Sequence, residues 1–106
     1  IDNVRTGQKM PMDLTFLEDF EANRNRLDVR AAGGRLAIPW LIVHGAADST
    51  VVPEEGRALA GVARHGRLVE IEGAGHTFEA RHPFAGPPAQ LTRAIDETVE
   101  HFAVHL

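Results

Sequence analysis

The tetrapeptide Trp40-Leu41-Ile42-Val43, opened by Pro39 and halted by His44-Gly45, is apolar at every position rather than at alternate ones. A strand lying on one core would alternate, so a continuous apolar run asks for cover on both faces. Strands of parallel sheets have that environment because crossover helices pack on each side. The next thirty residues fit such a crossover. Pro53 suits the first turn of a helix, with Glu54 and Glu55 near its positive end. Leu59, Val62 and Ala63 form an apolar stripe, Gly66 is expected to close the helix, and Leu68, Val69 and Ile71 make a second strand ended by Gly73. Residues 39–73 thus read as one βαβ unit, whose connection is right-handed in nearly all known cases. A last helix is expected from Pro88 to His105, with Leu91, Ile95, Val99, Phe102 and Leu106 on one face.

Upstream, residues 1–13 are polar, without periodicity, and read as a loop or arm. Thr15-Phe16-Leu17-Glu18 is a capping-box pattern, and Leu17, Phe20 and Leu27 suggest a helix over 16–26. A short helix is expected from Asp28 to Ala32, capped by Asp28 and ended by Gly33-Gly34. The division is therefore an N-terminal arm and helical segment over 1–35 and a βαβα unit over 36–106. Two strands rarely make a stable sheet alone, so the sequence has the character of part of a larger one.

Composition limits the functions. The net charge of −4 lacks the basic face that phosphate binding needs, so no nucleic-acid partner is expected. No run approaches a membrane span, and no membrane partner is expected. With no cysteine, the chain has no disulfide framework or thiolate metal site; a reducing, cytoplasmic location is the expectation.

Two residues draw attention as chemistry. Asp48 follows the first strand in a turn of small residues, and His76 follows the second in Gly73-Ala74-Gly75-His76. Catalytic groups of open α/β sheets gather beyond the carboxyl ends of strands. A carboxylate there can accept the Nδ1–H of a histidine, fixing its tautomer and stabilising the imidazolium formed when the ring acts as a base. The competing reading for each is a turn or loop residue, and the Asp48–His76 distance separates the two. His44 reads as a packed, hydrogen-bonded shaping residue. His101 and His105 stand one helical turn apart, a spacing that can hold a metal, but no zinc-peptidase motif surrounds them and no metal or cofactor is expected. His65 reads as a helix-end residue and His82 as loop. The nucleophile is missing: the sole serine is Ser49, and no Gly-x-Ser-x-Gly occurs.

The motifs His44-Gly45-x-x-Asp48-x-x-Val51-x-Pro53 and Gly73-x-Gly75-His76-x-Phe78 resemble the C-terminal part of the α/β-hydrolase fold, near its dienelactone-hydrolase and prolyl-oligopeptidase-like branches. The resemblance covers residues 36–106. It implies Asp48 as triad acid, His76 as triad base, the two strands as the last of an eight-stranded sheet, and residues 1–35 as a cap-like segment and helix before the penultimate strand. It further implies a serine hydrolase of ester- or amide-like bonds in small molecules or peptides, inactive without the half that carries the serine. A chain of this kind is expected to self-associate or to pair with that N-terminal half. The alternative is a non-catalytic α/β interaction module.

Overall fold

The computed structural model describes residues 1–3 and 6–106, so residues 4 and 5 of the expected arm lie outside the described set. Six elements occur in order: α1 (Leu14–Ala22), α2 (Val29–Arg35), β1 (Trp40–Gly45), α3 (Pro53–Val62), β2 (Gly66–Ile71) and α4 (Ala89–His105). The two strands pair in parallel from Trp40↔Gly66 to Gly45↔Ile71, making a mixed α/β fold around a two-stranded sheet.

Alternation along β1 separates its two faces. Trp40 and His44 lie towards the α2–α3 side, where Trp40 meets Gly33 and His44 meets Gly56. Leu41 and Val43 face the other way, onto a cluster of Val69, Ile71, Ala74 and Ala94, the last from α4. Both faces of β1 are thus covered, as its unbroken apolar run requires. Ion pairs tie the layers at the rim: Arg57 grips Glu70 at 2.7 and 3.2 Å across the α3–β2 contact. Arg67 on β2 lies 3.1 Å from Glu97 on α4; the contact is an ion pair without hydrogen-bond alignment, leaving Glu97 Oε2 without a hydrogen-bond partner.

Several local expectations are corrected. The α1 cap is Asp13, whose carboxylate accepts from the Thr15 amide at 2.9 Å and its hydroxyl at 2.8 Å; the Thr15–Glu18 box does not form. A carboxylate two residues earlier takes an orphan amide and holds the threonine hydroxyl as well. α1 also stops at Ala22, where the Asn23 amide and side chain both donate to the Asp19 carbonyl at 3.0 Å. Asp28 caps α2 as expected, but the helix runs through Gly33-Gly34 to Arg35. Gly33 serves close approach instead of termination: a Cβ there would stand 2.6 Å from the Trp40 ring. α3 ends at Val62, and Gly66 opens β2 instead of closing the helix.

The core is thin. Its buried apolar members are Ile42, Val69, Ile71, Ala74 and Ala94, and Ile71 is the largest fully buried side chain. The expected α4 stripe is mostly uncovered, with Ile95 at 49%, Val99 at 61% and Phe102 at 52% exposure. A sheet of two strands is too narrow to sit under that stripe, and only Ala94 of α4 is buried. α1 has no buried residue and packs on no other helix or strand among the described residues. The radius of gyration is accordingly 16.4 Å, against about 13 Å for a compact domain of this length.

Candidate active site

β1 ends at Gly45, and the chain turns at once through residues 46–52 into α3. The turn is pinned from outside: the Ala46 amide donates to Ile71 O and the Ala47 amide to Ala74 O, each at 2.9 Å. The second loop, after β2, is therefore bonded to the first through Ala74, which is fully buried. Gly45 allows this approach. A Cβ on it would collide with Ala74 O and lie 2.6 Å from Gly75 O.

Asp48 occupies the centre of the first turn and is buried, at 7% exposure. Its Oδ1 accepts from the Thr50 and Val51 amides, both at 2.9 Å. Its Oδ2 accepts from His76 Nδ1 at 2.9 Å. Burial pushes the carboxyl up, but the hydrogen bonds from His76, Val51 and Thr50 outweigh it and hold the group below its ordinary 3.8. A side chain used only as a turn former would be satisfied by the two amides; here the second oxygen is committed to an imidazole.

His76 is the exposed partner, with 53% of its side chain accessible against 5% for Asp48. Its Nδ1–H is donated to the acid, while Nε2 makes no hydrogen bond within the described residues. An anchored, oriented ring with one nitrogen open to a reacting group is a geometry that can serve general-base chemistry. The geometry thus joins the two residues singled out in the sequence, each delivered by the loop after its own strand.

His44 completes the surroundings of the acid. Its Nε2 lies 2.8 Å from Val51 O, and because a carbonyl only accepts, that nitrogen carries the proton. The same nitrogen is 3.6 Å from Asp48 Oδ2, so His44 braces the 48–51 turn from the strand side. The other histidines stand apart. His101 and His105 have ring centroids 4.7 Å apart on α4, and the described residues contain no group of three or more potential ligands able to hold a metal. A groove of about 340 Å³ lies along β1 and α4, lined by Trp40, Leu41, Val43 and Phe102 among others, and contains neither Asp48 nor His76.

One contributor, Glu79, is not visible in the sequence pattern. Its Oε1 accepts from the Gly75 amide at 2.9 Å, one residue before His76. Nothing in the spacing marks it, because the contact depends on an unusual backbone in the intervening turn.

Compared with known proteins, the sequence matches no protein-family model, and no curated protein shows significant similarity to it. No helix of the described residues is long and apolar enough to cross a membrane.

Proposed function

We propose that this chain supplies the acid and the base of a serine hydrolase of the α/β-hydrolase type, acting on ester- or amide-like bonds. The observation that carries the reading is the 2.9 Å bond from His76 Nδ1 to Asp48 Oδ2, with Nε2 left open. In this reading Nε2 of His76 takes the proton of an attacking serine hydroxyl and then gives it to the leaving group. Asp48 holds the ring in the Nδ1–H tautomer and stabilises the imidazolium between those two steps.

The serine and the oxyanion donors lie outside these 106 residues. Ser49 is beside the acid in sequence but makes no hydrogen bond with His76, so this reading assigns the nucleophile to another serine. The open side of β1 supports the same arrangement. Among the described residues that strand pairs with β2 alone, although both its faces are covered as in an interior strand. Further strands belong beside it, supplied by the half with the nucleophile or, in its absence, by another copy.

The rival reading, a non-catalytic interaction module, predicts Asp48 and His76 side chains that point apart; their contact favours the hydrolase. The test is to express the complete reading frame around this sequence and treat the product with a fluorophosphonate ester, which modifies activated serines. Labelling that disappears in His76→Ala supports the reading. No labelling, together with no turnover of activated esters, overturns it. The 106-residue chain alone should turn over an activated ester no faster than its Asp48→Ala, His76→Ala double variant.

A further inference from the structure

Between His76 and Ala80 the backbone is strained. Phe78 and Glu79 both have positive φ, 52° and 65°, a left-handed conformation in which the Cβ of an ordinary residue crowds the following carbonyl. Two such residues in succession persist only where the surroundings over-determine them, and strain of this kind collects at functional sites. Several contacts hold the turn. The Phe78 amide donates to Gly75 O at 3.1 Å, and the Ala80 amide to Thr77 O at 3.0 Å. The Phe78 ring packs against the Val69, Ile71, Ala74 and Ala94 cluster. The Glu79 carboxylate reaches back over the turn to the Gly75 amide at 2.9 Å.

The last of these contacts bears on the base. Gly75 immediately precedes His76, and its amide would otherwise be free to reorient with the loop. The Glu79 bond closes a ring of five residues, 75–79, with His76 inside it. The preceding residue, Ala74, is fixed separately by the Ala47 amide. His76 is thus held through two neighbours, by the first turn through Ala74 and by Glu79 through Gly75. We propose that Glu79 is a positioning residue: through the Gly75 amide it holds the strained 75–80 turn in the one form that aims His76 Nδ1 at Asp48. The proposal rests on the reading of Asp48 and His76 as an acid–base pair and adds to it a further contact that depends on a side-chain acceptor oxygen.

The required property is an acceptor oxygen at the end of a side chain of this length, not a negative charge. Glutamine therefore substitutes and alanine does not. The experiment is ¹⁵N NMR of the histidine rings in the full 106-residue chain, in which the two ring-nitrogen shifts distinguish the Nδ1–H tautomer, the Nε2–H tautomer and the imidazolium. A merely structural role for Glu79 would alter melting temperature without changing the tautomer of one ring. The expected result is a single Nδ1–H tautomer for His76 in the wild type and in Glu79→Gln, and a mixture of tautomers in Glu79→Ala with the circular dichroism unchanged. If Glu79→Ala does not fold, Glu79→Met keeps the length of the side chain without the oxygen and is expected to give the same mixture. A pinned Nδ1–H tautomer in the acceptor-free variants overturns the proposal alone, as does a mixture in Glu79→Gln. A mixture already present in the wild type overturns the acid–base pair and the proposal with it.

Discussion

The Ala47 amide donates to the Ala74 carbonyl at 2.9 Å, bonding the loop that carries Asp48 directly to the loop that carries His76. Asp48 and His76 therefore do not meet through long side chains reaching across a cleft. They meet because two strand ends in register, Gly45 opposite Ile71, deliver two turns that are welded at their bases. Asp48, one residue beyond Ala47, and His76, two beyond Ala74, are then within reach of each other by construction.

Gly45→Ala breaks that weld. The new Cβ would meet two backbone carbonyls, Ala74 O and Gly75 O, neither of which can swing away like a side-chain end. Overpacking typically costs about 1–3 kcal/mol, and the rigid obstruction places this variant at the upper end. The check is the denaturant midpoint, expected to fall without change in the slope of the transition. Wild-type stability in Gly45→Ala would mean that the loops are less tightly joined than described.

Asp48 is expected to make the fold sensitive to acid. The folded state favours the ionised carboxylate, so its contribution to stability is complete above the ordinary value of 3.8 and is lost as pH falls through the lower folded value. The wild type should lose thermal stability progressively below about pH 4, and Asp48→Asn should be less stable at neutral pH but flatter over that acid range. Parallel pH profiles for the two proteins would remove Asp48 as the cause. The measurement is melting temperature against pH.

The uncovered apolar surface predicts association. Among the described residues β1 has an unpaired edge, and Val99, Phe102 and Phe16 each expose more than half of their surface, at 61%, 52% and 61%. Edges and patches of this kind are templates for pairing with another molecule. Light scattering on the purified chain at micromolar concentration is expected to give a dimer or larger species. A stable, well-folded monomer would contradict the expectation.

What the residues disclose in advance, and what they conceal, divides by range of interaction. The apolar run at Trp40–Val43, Pro53 at a helix start and Asp28 at a cap each act through neighbours a few residues away, and each element forms at those positions. Asp48 and His76 are legible because small residues before each force a turn at a strand end. Gly33 misleads as a helix terminator because its reason, the Trp40 ring, lies on another element. The α4 stripe is legible as a pattern, but how much of it is covered depends on sheet width, which periodicity does not encode. Glu79 is invisible for a similar reason: its bond to Gly75 needs two left-handed residues that no local propensity favours.

If Asp48 and His76 act as one unit in catalysis, their losses on mutation do not add. The most direct test is a double-mutant cycle on the complete enzyme, comparing kcat for Asp48→Asn, His76→Ala and the two combined. Residues of one catalytic unit are strongly non-additive. Asp48→Asn should lower kcat on the order of 10⁴-fold, through the wrong tautomer. His76→Ala should lower it at least as far, and the double variant no further than His76→Ala alone. Losses that multiply, or an Asp48→Asn enzyme within a few-fold of wild type, would contradict the pairing.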